Sequence, residues 1–161
     1  MSRAAITLVR DAPFTLGNHP LFLGCYRFRP TMASSPEDVS LSFCEEMQKH
    51  LGGDAHTTPQ DPSEADIARA MAMAKGHTSL VVGTYNGRLR PGQLALARAA
   101  AQSGLPVCVI ALRNPYDLAG LPPTVRTLAA YDYDRRTLPI LAQVLCGAMD
   151  APGRLPVRLE A

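Results

Sequence analysis

The segment PVCVIALRNPYDLAGLPP, residues 106–123, decides the fold class because it begins as an apolar β-strand and ends in polar and proline residues. Its first seven residues form a continuous apolar run that is rich in β-branched side chains. A run without alternation of polar and apolar positions is typical of a parallel strand covered by helices on both faces. The segment therefore predicts an α/β protein.

Strand-like and helix-like patterns alternate on both sides of this segment. Four further strands are predicted from short apolar runs, at residues 4–11, 21–28, 79–86 and 127–133. Four helices are predicted from apolar residues spaced three or four apart, at residues 41–51, 63–75 and 91–103 and from Thr137 as a cap. Residues 56–62 are interpreted as a polar connector, and the tail 153–160 is a candidate edge strand. This alternation predicts a three-layer α/β/α sandwich with a mainly parallel sheet.

Length and composition are those of one soluble domain covering residues 1–161. Hydrophobic residues make up 47% and charged residues 19% of the sequence, and the net charge of +2 is too small to indicate nucleic acid or an anionic membrane as a partner. No apolar run approaches the roughly 20 residues of a membrane span, and the first residues do not form a signal peptide. A cytoplasmic location is therefore expected.

Neither the cysteines nor the histidines have the spacing of a metal site or a redox motif. The four cysteines, Cys25, Cys44, Cys108 and Cys146, contain no CxxC pair and are expected to be reduced thiols of the core. The four histidines have no HxH or i, i+4 pair and are expected at the surface or at element ends; they are His19, His50, His56 and His77. We therefore predict no metal and no cofactor.

Polar side chains mark the carboxyl ends of two predicted strands. Residues 79–86 end in Thr84, Tyr85 and Asn86, and the strand at 106–112 is followed by four polar residues: Arg113, Asn114, Tyr116 and Asp117. In an open parallel sheet, ligands and partners collect at this edge. Two interpretations stay open. The loop is braced by its own side chains, with Asp117 capping a short turn and pairing with Arg113, or it forms a contact surface for a ligand or a second domain.

Motifs for catalysis are missing from the sequence. It contains no GxGxxG or GxxxxGK[ST] phosphate loop and no GxSxG or GxCxG nucleophile elbow. A glutaminase-like enzyme would place a cysteine at a strand-to-helix turn, whereas Cys108 lies in mid-strand and Cys25 precedes Tyr-Arg-Phe-Arg. No catalytic residue is predicted.

Two segments nevertheless resemble a known family. VVGTYN…PGQLALARAAAQSGLPVCVIALRNPYDLAGLP and AYDYDRRTLPILAQVLCGAMDAPGRLPVRL are similar to the carboxy-terminal α/β domain of family 3 glycoside hydrolases, especially the two-domain β-N-acetylglucosaminidases. The similarity is strong over residues 80–159, and AAITLVRD resembles the segment that enters this domain from a preceding barrel. Residues 30–63 match only in pattern.

This resemblance implies a domain without catalytic residues. In that branch of the family the Asp nucleophile and the His-Asp acid/base pair belong to an amino-terminal TIM barrel, which needs roughly 250 residues. The sequence has no KHFPGHG-like segment. The glucosidase branch places an acid/base Glu in its second domain, but the glutamates of this chain lie in segments that do not match that motif. The implied partner is a TIM-barrel catalytic domain, in the same chain or in another.

Three functions follow as hypotheses. The first is the non-catalytic domain of a β-N-acetylhexosaminidase-like hydrolase, inactive as an isolated chain and supporting a catalytic barrel. The second is a stand-alone module of the same fold that binds a carbohydrate, such as an amino sugar, or a protein. The third, a flavodoxin-like enzyme, would require a phosphate-binding loop.

Overall fold

The structure is a computed structural model that describes residues 6–10, 12, 14–25, 42–85, 87, 89–130, 133 and 136–147. Within them lie six strands: β1 (Thr7–Arg10), β2 (Pro20–Gly24), β3 (Asp54–Thr57), β4 (Ser79–Thr84), β5 (Val107–Ala111) and β6 (Arg126–Ala129). The α-helices of the same described part are α1 (Phe43–Leu51), α2 (Glu64–Ala74), α3 (Pro91–Ala101) and α4 (Thr137–Leu145), and Pro115–Leu118 forms a 3-10 turn. No helix of this part is long and apolar enough to cross a membrane.

All six strands form one mixed sheet in the order β1-β6-β5-β4-β2-β3. Strands β2 to β6 are parallel, and only β1 runs antiparallel, against β6 at one edge. The chain moves outward from β2 to β3 and then crosses back to β4 on the other side of β2. The mainly parallel sheet predicted from the sequence is therefore confirmed.

Helices cover both faces of the sheet, which gives the predicted three layers. On one face, α1 and α4 pack through Phe43, Met47 and Leu138 against strand residues such as Phe22 and Ile110. Helices α2 and α3 pack on the other face against alternate strand residues; this core includes Ala70, Ala74, Leu96, Leu80 and Val109. Because successive strand residues point to opposite faces, the continuous apolar runs supply both cores at once.

The helix ends follow local sequence rules. Ser63 and Asp66 form the predicted capping box, in which each side chain accepts a hydrogen bond from the other residue's backbone N–H. Gly52 ends α1 with a positive φ of 78°, which glycine adopts more readily than other residues. Thr137 was predicted to cap α4, but it is the first residue of that helix.

The structure corrects the sequence interpretation at two other places. Residues 54–57 form the edge strand β3, which was not predicted and which overlaps the start of the polar connector expected at residues 56–62. A half-buried edge strand carries no apolar run that would reveal it. Cys25, Cys44 and Cys108 are buried as predicted, but Cys146 is exposed. The candidate edge strand at 153–160 lies outside the described residues.

Candidate site at the carboxyl edge of the sheet

The order in which strands are added along the sheet reverses between the parallel strands β2 and β4, and open α/β sheets form their crevice at such a point. The two strands are hydrogen-bonded neighbours, while the connections leaving them run to opposite sides. Loops that diverge from adjacent carboxyl ends leave a gap between them, in which such folds bind ligands. Here the gap lies between Cys25, which follows β2, and Tyr85, which follows β4.

Gln93 fills this gap from the first turn of α3. Its side chain is 4% exposed. Its Oε1 accepts a hydrogen bond from Tyr85 N at 2.7 Å, and its Nε2 donates to Tyr85 O at 3.0 Å and to Gln60 O at 2.7 Å. The carboxamide thus pairs with both backbone groups of Tyr85, as a neighbouring strand would, and joins the loops that follow β3 and β4.

Tyr133 closes the crevice from the side of β6. Its hydroxyl donates to Cys25 O at 2.8 Å and accepts from Phe43 N, the first amide of α1, at 2.6 Å. Its ring packs edge-to-face on Tyr85, with centroids 5.3 Å apart. The hydroxyl therefore satisfies one backbone group at the end of β2 and one at the start of a helix.

A buried carboxylate joins the loops after β4 and β5. Asp117 is 1% exposed, and its Oδ2 accepts hydrogen bonds from Thr84 Oγ1 and from Gly87 N, both at 2.9 Å. A Cβ on Gly87 would lie only 3.3 Å from the carboxyl group, so glycine allows this close approach. The cap of the 3-10 turn is Asn114, whose Oδ1 accepts from Tyr116 N at 3.0 Å.

The predicted site residues therefore divide into two groups. Thr84, Tyr85 and Asp117 are buried and brought together by the structure. Arg113 and Tyr116 face solvent, and Asn114 is half-buried. Asp117 does not cap the 3-10 turn, because its carboxylate reaches back to the loop after β4, and no ion pair joins it to Arg113 in the described structure. Asn86 lies outside the described residues.

The buried polar groups at this edge hydrogen-bond to the protein itself. Burial raises the pKa of the Cys25 thiol at the crevice to about 11, so the thiol stays protonated at neutral pH. Asp117 is enclosed and already accepts two hydrogen bonds. The inner side chains brace the loops through bonds other than the expected Asp117 cap and Arg113 pair, and the exposed side chains form a separate outer rim.

Sequence reasoning missed Gln93 and Tyr133, the two side chains that fill the crevice. Gln93 carries a usable signal, since a large polar residue directly after Pro91-Gly92 at a helix start can reach the preceding strand. Tyr133 carries none, because its partners Cys25 and Phe43 are 108 and 90 residues away along the chain.

Removing the Asp117 carboxylate should destabilise the fold strongly. Asp117→Ala leaves the Thr84 hydroxyl and the Gly87 amide buried without their acceptor, and we expect a loss of about 3 kcal/mol of unfolding free energy in urea denaturation. Asp61→Ala is the matched control, because Asp61 accepts one hydrogen bond, from Gly92 N, in an exposed position. That variant should lose about 1 kcal/mol or less. Equal losses for the two variants would contradict the role assigned to Asp117.

The four thiols should differ sharply in reactivity. In native protein at pH 7.5, a disulfide reagent such as DTNB should label one thiol quickly, and all four cysteines should react after denaturation. Cys146→Ser should abolish the fast phase. Fast labelling of Cys25 in the native state would contradict the protonated, enclosed thiol described above.

Comparison with known proteins links this fold to glycosidases. No protein-family model and no curated protein matches the sequence. Among solved structures, a family 3 β-N-acetylglucosaminidase from Paenibacillus sp. str. FPU-7 is 28% identical with a TM-score of 0.78, over 96% of this chain and 30% of that enzyme. This chain thus spans less than a third of that enzyme's length.

Two more distant structures share the fold. A fungal multi-domain family 3 β-N-acetylglucosaminidase is 17% identical with a TM-score of 0.71, over 98% of this chain and 18% of that one. A β-glucosidase from Listeria innocua is 15% identical with a TM-score of 0.66, over 89% of this chain and 24% of that one. The similarity predicted from the sequence is therefore confirmed: over nearly its whole length, this chain is similar to a part of family 3 glycoside hydrolases.

Proposed function

We propose that this chain is the non-catalytic α/β domain of a β-N-acetylhexosaminidase-like hydrolase, which packs against a catalytic TIM barrel and supports it. The observation that carries the proposal is the coverage of the Paenibacillus enzyme: almost the whole of this chain matches, and it matches only 30% of that β-N-acetylglucosaminidase. The remaining length of that enzyme is ample for a barrel of about 250 residues.

The interior of the carboxyl edge supports a role without chemistry. Gln93 and Tyr133 occupy the crevice, and Asp117 lies between the loops after β4 and β5. All three are held by hydrogen bonds to the protein's own backbone. A sugar entering here would have to break these hydrogen bonds, and each bond broken would leave a buried polar group unpaired. The crevice therefore favours a scaffold that stiffens its loops over one that opens for substrate.

The outer rim supports docking. Leu89 is 72% exposed and Tyr116 43% exposed, and they are the large hydrophobic side chains that the described structure leaves in solvent. Leu89 lies on the loop after β4, two residues from Gly87, and Tyr116 lies on the loop after β5, next to Asp117. The hydrogen bond between Gly87 and Asp117 joins these two loops. Arg113 is exposed on the same loop as Tyr116, so these loops present apolar, aromatic and basic side chains to solvent, and Tyr and Arg are enriched at interfaces. We define this rim surface as Leu89, Arg113 and Tyr116.

A stand-alone binding module remains the second candidate. The exposed Tyr116 favours it, because an aromatic ring at a strand-end rim is a surface on which a sugar ring can stack. The ligands that this family resemblance suggests are amino sugars and muropeptide fragments of the bacterial cell wall. Calorimetric titration with N-acetylglucosamine and with muropeptides tests it: saturable binding that Tyr116→Ala abolishes would favour the module over the scaffold.

The isolated chain should not hydrolyse a chromogenic N-acetylglucosaminide, and its rim surface should bind a barrel. The probe is a family 3 barrel domain encoded by the same genome and expressed separately. We expect saturable binding that the double variant Leu89→Ser, Tyr116→Ser weakens at least about 10-fold, since apolar and aromatic interface anchors each contribute on the order of 1–2 kcal/mol.

The control for the docking experiment is Gln102→Ser, an exposed residue directly after α3 at the opposite edge of the sheet. It should leave the affinity unchanged. Turnover by the isolated chain at rates near those of complete enzymes would overturn the non-catalytic assignment. Binding that is equally strong in the double variant would remove the rim surface from the interface.

A further inference from the structure

Three potential metal ligands converge at the amino edge of the sheet, opposite the rim surface. His19 precedes β2, Asp54 is the first residue of β3, and His77 lies two residues before β4. Because β3, β2 and β4 are consecutive strands of the sheet, their starts lie side by side. Sequence spacing could not reveal this cluster, since its members come from three separate segments.

The distances within the cluster are short. Asp54 Oδ2 lies 3.0 Å from His19 Nε2 and 2.8 Å from His77 Nε2. The two imidazole rings are 4.4 Å apart between centroids, and one ligand atom from each of the three residues lies within 4.8 Å of the other two. In a tetrahedral zinc site with bonds of about 2.0–2.2 Å, the ligand atoms are about 3.3 Å apart. The observed separations are close to that spacing.

The backbone under the cluster is fixed before any ion binds. Thr78 N donates to His19 O at 2.8 Å, and His19 N donates to Thr78 Oγ1 at 3.0 Å. Thr78 Oγ1 donates in turn to Leu16 O at 3.0 Å. These bonds hold the segments that carry His19 and His77 against each other, so little conformational entropy remains to be lost on metal binding.

The cluster combines a mostly buried imidazole, His77, with a half-exposed carboxylate, Asp54. The His77 side chain is only 8% exposed, contrary to the surface position expected from the sequence, yet its Nδ1 is buried with no hydrogen-bond partner among the described residues. Asp54 contacts both imidazoles through the same carboxylate oxygen, Oδ2. It is half-exposed, which leaves an approach from solvent.

We propose that His19, Asp54 and His77 bind one divalent transition-metal ion, with zinc as the preferred ion. Two imidazole nitrogens and one carboxylate oxygen form a ligand set of borderline softness, which suits Zn²⁺, Co²⁺ or Ni²⁺ better than the hard ions Mg²⁺ and Ca²⁺. With three protein ligands, the fourth position belongs to water or to an added ligand from solvent. The ion would fasten the starts of β2, β3 and β4 together.

Metal titration of the tag-free full chain at pH 7.5 tests this site. We expect one Zn²⁺ per chain by calorimetry and a rise in Tm of about 5–10 °C at a free zinc concentration 100-fold above Kd. Co²⁺ should give the intense visible absorption of a four-coordinate site. Three side chains that only hydrogen-bond to one another and bind no ion would not produce this absorption. Mg²⁺ should produce neither effect.

The deciding variants are His19→Gln and Asp54→Asn. His19 and Asp54 are each 48% exposed, so both variants are expected to fold, as far-UV circular dichroism checks. Each should weaken zinc binding about 100-fold and remove the cobalt spectrum. His50→Gln, which also removes one exposed histidine, should change neither.

The outcomes separate this proposal from the proposed function. Absence of stoichiometric zinc binding, or binding that His19→Gln and Asp54→Asn retain, would overturn the metal site and leave the docking role of the rim surface intact. Loss of docking in the barrel experiment would likewise leave the metal site unaffected, because the two sets of residues lie at opposite edges of the sheet.

Discussion

Every residue of β2, β4 and β5 is buried, and this burial on both faces of the sheet is the constraint on which the remaining structure depends. The strand interiors have room only for apolar or small side chains, packed under two layers of helix. Polar chemistry is therefore confined to the edges where strands begin and end. There the backbone also loses its ladder partners and needs other hydrogen bonds.

The two edges meet this need in different ways. At the carboxyl edge, buried side chains replace the missing partners: the Gln93 carboxamide pairs with Tyr85 as a strand would, and the Asp117 carboxylate receives the Gly87 amide. At the amino edge, the polar side chains of His19 and Asp54 remain half-exposed. A closed edge suits a surface whose loops must keep one shape for a partner. An open edge with convergent ligand atoms suits a small ion.

The sequence was sufficient to predict the layers and the main strands, and it was insufficient for the site. Continuous apolar runs and cap residues such as Ser63 act over a few positions, so their structural consequences can be read locally. The edge strand β3 lacked such a run because its residues are half-buried. Asp117 was placed in the correct loop but given the wrong partner, since its bond to Thr84 spans 33 residues. Contacts of that range depend on strand order, which local patterns do not encode.

The crevice between β2 and β4 has a geometry suited to ligands, but the protein's own side chains fill it. The geometry that forms a binding gap in other α/β sheets is present here, because the order of strands along the sheet reverses between β2 and β4. The gap is occupied by a neutral carboxamide and a tyrosine hydroxyl, whose hydrogen bonds all go to the protein itself. The hydrogen bonds offset the cost of desolvating these groups only while the groups stay in place. The loops above them are therefore held in one arrangement. In the docking role proposed for the rim surface, rigidity at this edge would lower the conformational entropy lost on binding a partner.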